Sequence, residues 1–442
     1  MYQVRKEPQS KMRIPYVVGR WVRGSNHYGR ERLTEHLLHA PDSAIWLLGT
    51  RRMGKTSMLK QLELVTDSPE SHYVPIFWDM QGCEGAHDLA EELVYALVDV
   101  QDRFARFGVD VKQFEGQDAL LILRALARLL TEQGKKLLLL VDEAEVLIHI
   151  ARQDAAWVGR LRRIMQDHRV RTVMTSTKLL AELNHLNSEW PTSPFLFGFN
   201  LVSLTRLEEN AARALVRQLQ GDQEVQANDG VVDDILIHTN GQPYLIQYLC
   251  QRLFEPDTGS LRSIREEDLA TDHILNGFFQ IDFQHLTKTE RRLLLAVAEL
   301  NIAKERELLV VLNDLPPRKI QNYLYGLERL GYLRQIFGQW ALGNEFLRRW
   351  VMDNYDELGA QLGNATDDNI HETMLEIGRE HEVRYLREEI ARLEAELEQV
   401  DAAAAKASGE ELVELLDVAA KLRRELARLR KELKSIDADM AS

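Results

Sequence analysis

At 442 residues, 45% hydrophobic and 28% charged, the chain has the balance of a folded soluble protein and exceeds what one core usually organises, so several domains are predicted. A net charge of -14 argues against coating nucleic acid by general electrostatics, and Cys83 and Cys250 lie too far apart, outside CxxC spacing, for a disulfide framework or a zinc site. No run resembles a signal peptide or offers about 18 uncharged apolar residues for a membrane span, so a cytoplasmic protein with no membrane partner is expected.

Residues 1–30 carry seven Lys or Arg against the single acid Glu7. This basic arm is either a solvated terminus or a contact for an anion. Residues 44–48 (AIWLL) form an apolar run that leads straight into Gly49. The eight residues Gly49-Thr50-Arg51-Arg52-Met53-Gly54-Lys55-Thr56 fit G-x-x-x-x-G-K-[ST], and a helical pattern begins at Ser57. Strand, loop and helix in this order make a phosphate-binding loop. Gly49 and Gly54 permit the backbone angles that turn amide N–H groups inward, Lys55 reaches the β and γ phosphates, and Thr56 ligates Mg²⁺. Ser57 belongs to the first turn of the helix, whose positive dipole end faces the anion. ATP with Mg²⁺ is the expected cofactor.

Further strands are predicted at 73–80, 136–141 and 171–176, with amphipathic helices at 89–104 and 118–132 between them. Near-continuous apolar strands alternating with helices imply an α/β fold with a parallel sheet covered on both faces. The carboxyl ends of such strands line the ligand crevice. Asp142, at the end of the third strand, is therefore placed to hold Mg²⁺ through its water shell, and Glu143 to orient or deprotonate an attacking water. The fourth strand delivers Thr175 to the same edge, where its hydroxyl could sense the γ phosphate.

Residues 200–275 read as helical throughout. Residues 287–330 read as three helices followed by short strands at 332–336 and 339–342, which fits a winged-helix domain. Its third helix starts after Pro316-Pro317 and carries Arg318, Lys319, Gln321, Asn322 and Tyr325 outward, as a DNA reader would. Against that, residues 282–353 hold eleven Lys or Arg and nine Asp or Glu, a net of only +2, and the turn at 337–340 is short for a groove-entering wing. Docking on the rest of the chain is the other reading. Past a polar stretch at 363–369, apolar residues recur at Val383, Leu386, Ile390, Leu393, Leu397 and Val400. They recur again at Leu412, Leu415, Ala419, Leu422, Leu426, Leu429, Leu433 and Ile436. These are heptad seams, and residues 401–409 between them favour an antiparallel coiled-coil hairpin that either closes on itself or recruits another protein.

With these residues in view, residues 15–352 resemble the signal-transduction ATPases with numerous domains (STAND) and related archaeal-type ATPases of the AAA+ class. Tyr28-Gly29-Arg30-Glu31 looks like that family's aromatic-Gly-Arg-Glu box, which packs beside the adenine. Gly241-Gln242-Pro243-Tyr244 looks like its GxP element, which contacts the base from the lid. The resemblance implies a P-loop NTPase core with a helical lid, a winged helix that locks the resting state and a C-terminal coiled coil. The corresponding domains are a basic arm (1–27), ATPase core (28–200), lid (201–280), winged helix (281–355) and coiled coil (370–438). It implies ATP hydrolysis coupled to homo-oligomerisation and to a protein effector recruited through the coiled coil, commonly in conflict responses such as antiviral defence. A DNA-binding AAA+ loader akin to origin-recognition or transposition ATPases is the alternative. Where many relatives carry an arginine after the fourth strand, this chain has Lys178 as the candidate substitute. Arg160, Arg162, Arg163, Arg169 and Arg171 are all candidates for an arginine finger acting on a neighbouring subunit.

Overall fold

The computed structural model describes residues 13–186, 194–222, 224–364 and 369–405, together with part of 415–434. Arg5, Lys6 and Lys11 of the arm, and Leu412 and Ile436 of the second heptad series, lie outside the described residues. The chain divides into two compact units, Met1–His371 and Glu372–Ser442.

The first unit is built on five strands: β1 (Ala44–Leu48), β2 (Tyr73–Asp79), β3 (Lys136–Asp142), β4 (Val170–Ser176) and β5 (Asn200–Ser203), hydrogen-bonded in the order β2-β3-β4-β1-β5. All neighbours run parallel. β1 and β4 are buried at every position, as central strands covered on both faces must be; β1 is apolar throughout, whereas β4 also buries Arg171, Thr172, Thr175 and Ser176. The covering helices are α1 (Glu31–His39), α2 (Lys55–Thr66), α3 (Ala86–Asp99), α4 (Gln101–Ala105), α5 (Ala119–Glu132), α6 (Val146–Gln153), α7 (Ala155–Met165) and α8 (Glu182–Leu186). α5 shows why: Asp118 caps it by accepting from the Leu120 N–H at 2.8 Å, and Ile122, Leu123, Leu126 and Leu130 recur on one buried face.

Residues 200–275 are not helical throughout, which corrects the sequence reading. Asn200–Ser203 is the edge strand β5 beside β1, and β6 (Phe254–Glu255) pairs with β7 (Ser260–Leu261) as a small hairpin. β5 has four residues, all half-buried, too few for a period of two to stand out beside the helical patterns that follow. The main helices of that region are α9 (Glu209–Arg217), α10 (Asp229–Thr239) and α11 (Pro243–Leu253), joined by turns and irregular segments. α12 (His273–Gln284) leads into α13 (Lys288–Leu300), β8 (Ile302–Ala303), α14 (Glu305–Val311), α15 (Pro317–Arg329), β9 (Leu333–Ile336) and β10 (Gln339–Leu342). The last three strands form an antiparallel sheet in the order β8-β10-β9, and α16 (Glu345–Asp353) and α17 (Tyr355–Ala360) close the unit.

Two apolar clusters of this unit bear on the edge where the strands end. One holds the sheet face and α2, with Ile45, Leu47, Met53, Met58, Leu138 and Leu204. The other runs from Tyr16 and Tyr28 through α9–α11 into α12–α16, ending with Leu358.

In the second unit α18 (Asn369–Ala404) brings Leu386, Ile390 and Leu393 against Leu426 and Leu429. Asp401 pairs with Arg423 at 2.7 Å and Glu394 with Arg430 at 2.6 Å, so the two segments run antiparallel. Among the described residues, no helix is long and apolar enough to cross a membrane.

Candidate nucleotide site

β1 ends at Leu48 and the chain turns through residues 49–54 into α2 at Lys55. The turn uses backbone that side chains rarely adopt: Gly54, just before the helix, has φ 97°, and Arg52 has φ 62°. Gly49 donates its N–H to the Ser176 carbonyl at 3.2 Å, and a Cβ there would meet Leu204 at 3.3 Å and the Lys55 side chain at 3.4 Å. The loop is therefore closed tightly around its own lysine. Lys55 is buried, and its ammonium donates to the carbonyls of Gly49 at 3.0 Å and Thr50 at 3.3 Å. Those acceptors are neutral, which leaves the charge to be balanced by anions around the loop.

β3 carries Asp142 to the same edge, 2% exposed. One carboxylate oxygen accepts from the Thr56 hydroxyl at 2.6 Å, and the other accepts from the Glu143 N–H at 3.1 Å and from the Thr175 hydroxyl. β3 and β4 pair in register up to Val141 and Met174, which brings the next residues, Asp142 and Thr175, level. Thr175 is fully buried behind the carboxylate. Its hydroxyl donates to Asp142, which places Thr175 beside the metal carboxylate as well as at the edge where a phosphate sensor was expected. Glu143 leaves the strand in the left-handed region, φ 53°. Burial and the nearby Glu145 push its carboxyl above the usual range; Lys55 opposes them, Asp142 adds, and Arg51 opposes. Thr56 and Asp142 thus present two hard oxygens from opposite sides of one contact, a donor set that suits Mg²⁺ completed by water and phosphate.

The other candidates have mixed placements. Tyr28 is buried in the α9–α11 cluster and its hydroxyl accepts from the Gln220 N–H at 3.3 Å. Gly29 lies so close to α9 that a Cβ would fall 2.5 Å from that of Ala211. Arg30 donates to the carbonyls of Met53 at 2.9 Å and Thr205 at 3.0 Å, bracing the loop. Gly241 accepts from the Leu207 N–H at 2.9 Å, and Pro243 opens α11. Ser57 accepts from the Val22 N–H at 3.1 Å, so it anchors the N-terminal segment beside α2. Lys178 is buried and ion-paired with Glu290 on α13. Arg171 is 2% exposed and spends its guanidinium on the carbonyls of Leu37 and Ala40, at 2.8 and 2.7 Å. Arg169 holds Asp167 at 2.9 and 2.8 Å, Arg162 reaches the Phe197 carbonyl at 2.8 Å, and Arg160 and Arg163 are exposed.

Sequence reasoning missed the neighbours supplied from afar. Arg52 stacks over the Tyr244 ring of α11, 5.1 Å from its centroid. Asp282, His285, Glu290 and Tyr332 lie near the loop, and their signal was at best indirect: Thr287 and Glu290 form a capping box, which marks a helix start and not a partner.

No protein-family model matches the chain, and no curated protein matches it. Among solved structures, a Walker-type ATPase of Pyrococcus abyssi is similar with a TM-score of 0.54 and 14% identity, covering 75% of this chain and 98% of that one. The Aeropyrum pernix ORC2 protein, solved as ADPNP and ADP complexes, has a TM-score of 0.45 and 14% identity, covering 76% of this chain and 95% of that one. The chain has the α/β P-loop NTPase fold, and at such identity the likeness is one of fold.

Proposed function

We propose that this protein is an ATP-driven switch that binds and hydrolyses Mg²⁺-ATP at residues 49–56 and couples nucleotide state to assembly and partner recruitment. The observation that carries the reading is the 2.6 Å contact between Thr56 and Asp142, which joins the phosphate loop to the strand end beside Glu143. Lys55 and the first N–H groups of α2 bind the phosphates, Thr56 and Asp142 hold the metal, and Glu143 takes the proton of the attacking water. Mg²⁺ would supply charge neutralisation on the phosphate oxygens. Tyr28, Gly29, Gly241 and Pro243 border the base-binding side, where the N-terminal segment meets α11.

In this reading α13–α15 with β8–β10 act as a winged helix that rests on the core, supported by the Lys178–Glu290 pair. Subunits assemble when it is released, and the C-terminal hairpin serves as the platform for a protein effector, with antiviral defence as a fitting setting. A second reading, a DNA-binding loader, draws on Arg318, Gln321 and Tyr325, which are exposed on α15. It requires duplex affinity that falls steeply with salt.

The test uses the full chain. Lys55→Ala should lose nucleotide binding while remaining folded. Glu143→Gln should keep Mg²⁺-ATP but slow hydrolysis by about a hundredfold to ten-thousandfold, and light scattering should show a larger species accumulating with ATP. Hydrolysis by Glu143→Gln at the wild-type rate would remove Glu143 from the role of base.

A further inference from the structure

The cations of the phosphate site are matched by acids that the site itself does not contain. Asp282, near the end of α12, is 5% exposed, and the hydroxyl of buried Tyr332 is hydrogen-bonded to it. The cations that act on its carboxylate are Lys55 and Arg51, both in the phosphate loop. Glu290, on α13, has no exposed surface and is paired with Lys178, which directly follows β4 at the carboxyl edge of the sheet. The backbone closes over the same place: a Cβ at Gly331 would sit 3.5 Å from the Met53 methyl. His285, between the two acids, feels Arg51, Lys178, Arg291 and Lys55, so every cation here is shared with α12 or α13. Arg51 also keeps its Nε buried with no hydrogen-bond partner among the described residues, a donor still open to an anion.

A buried carboxylate that neutralises Lys55 competes with any phosphate that needs the same charge. The competition grows with the charge of the ligand. A diphosphate can be held by the loop amides and the start of α2, whereas a terminal phosphate adds charge where Lys55, Arg51 and Lys178 are already engaged.

We propose that Asp282 and Glu290 are the residues by which this protein distinguishes a nucleoside triphosphate from a diphosphate, their carboxylates yielding the phosphate-site cations only to the terminal phosphate. Engagement of that phosphate then loosens α13 and the β9–β10 hairpin from the loop. The proposal rests on the nucleotide-binding reading above and assigns its selectivity.

The experiment measures binding of Mg²⁺-ADPNP and Mg²⁺-ADP by titration calorimetry at about pH 8, where the Asp282 carboxyl is ionised, to the full wild-type chain, Asp282→Asn and Glu290→Gln. Hydrogen exchange is followed in 288–300 and 333–342. Asp282→Asn should raise ADPNP affinity about tenfold or more and ADP affinity less than about threefold, because the triphosphate brings the larger charge to the cations that the carboxylate balances. In the wild type ADPNP, and not ADP, should speed exchange in both segments, and Glu290→Gln should show that faster exchange without nucleotide. Glu290 also caps α13 by accepting from the Thr287 N–H at 2.7 Å. Should Glu290→Gln fail to fold, Asp282→Asn alone decides. Equal effects of Asp282→Asn on both nucleotides, or none, overturn the proposal while leaving the nucleotide site standing. A wild-type chain that binds neither nucleotide overturns both readings.

Discussion

Thr175→Val is the most direct probe of how the site is positioned. Valine keeps the shape and burial of threonine and removes only the hydroxyl, which lies 3.4 Å from the Val141 carbonyl and donates to Asp142. Asp142 has three donors: the hydroxyls of Thr56 and Thr175 and the N–H of Glu143. When Mg²⁺ takes the Thr56 oxygen, the other two must orient the carboxylate, so the substitution removes half of its remaining support. Loss of an outer partner of a metal ligand typically costs about 10- to 100-fold in metal affinity, or about 1.4 to 2.7 kcal/mol. The assay is a Mg²⁺ titration of ATP hydrolysis at saturating ATP, with metal-free ATP binding as the control. Half-maximal Mg²⁺ should rise by that factor while metal-free binding stays within about twofold. An unchanged Mg²⁺ requirement would refute the assignment of Asp142 as the metal's carboxylate, because Thr175 and the Glu143 N–H are the donors that hold its second oxygen.

Two further outcomes concern the acids and cations around the loop. Lys178→Met removes the buried cation paired with Glu290 and should cost about 3 to 5 kcal/mol in urea unfolding, whereas Lys178→Met with Glu290→Gln should recover most of that loss. A cost under about 1 kcal/mol for the single change would mean the pair is not maintained in solution. Burial pushes the Asp282 carboxyl up to about 7, against the opposing pull of Lys55 and Arg51 and its bond to Tyr332, from an ordinary value near 4. The folded state therefore holds the proton more tightly than the unfolded chain. The stability it confers is complete below about pH 4 and is lost as pH rises through about 7. Asp282→Asn should accordingly gain on the wild type between about pH 4 and 7, by at most about 1.4 kcal/mol per pH unit. A stability difference that is flat across this range would contradict the burial of an ionisable Asp282.

The parts legible in the sequence were those in which one local rule decides. β1 and β3 are apolar runs because a parallel sheet covered on both faces leaves no polar side, and the loop between β1 and α2 is dictated by its glycines and lysine. β5 was lost because an edge strand of four half-buried residues carries no such run. Thr175 is legible as a strand-end residue of this edge, but its bond to Asp142 is not, since strand order and register set that neighbour. Lys178 and Ser57 were weighed for the nucleotide, but Glu290 and Val22, both distant in the chain, claim them. No spacing rule reaches from Lys178 across 112 residues to Glu290, or from Ser57 back across 35 to Val22.

On the proposed reading, the division of apolar surface leaves a charged cluster room to act as a switch. α9–α11 and α12–α16 share one continuous cluster, whereas α2 and the sheet face beneath it belong to another. The chain crosses between the two near residues 29–32, from Tyr28 to Leu33, and again at 205–206, from Leu204 to Leu207. Arg30 stands at the first crossing and donates to the Thr205 carbonyl at the second and to the Met53 carbonyl of the phosphate loop. One guanidinium thus ties both crossings to the loop that receives the phosphates. A rotation about these crossings would leave each apolar cluster intact and would exchange mainly polar contacts, the Lys178–Glu290 pair and the environment of Asp282. Buried ion pairs return little net energy because desolvation offsets attraction, so such contacts hold a closed form without making it irreversible. An anion entering the loop can then decide between the two arrangements, which an apolar seam of the same area would not permit.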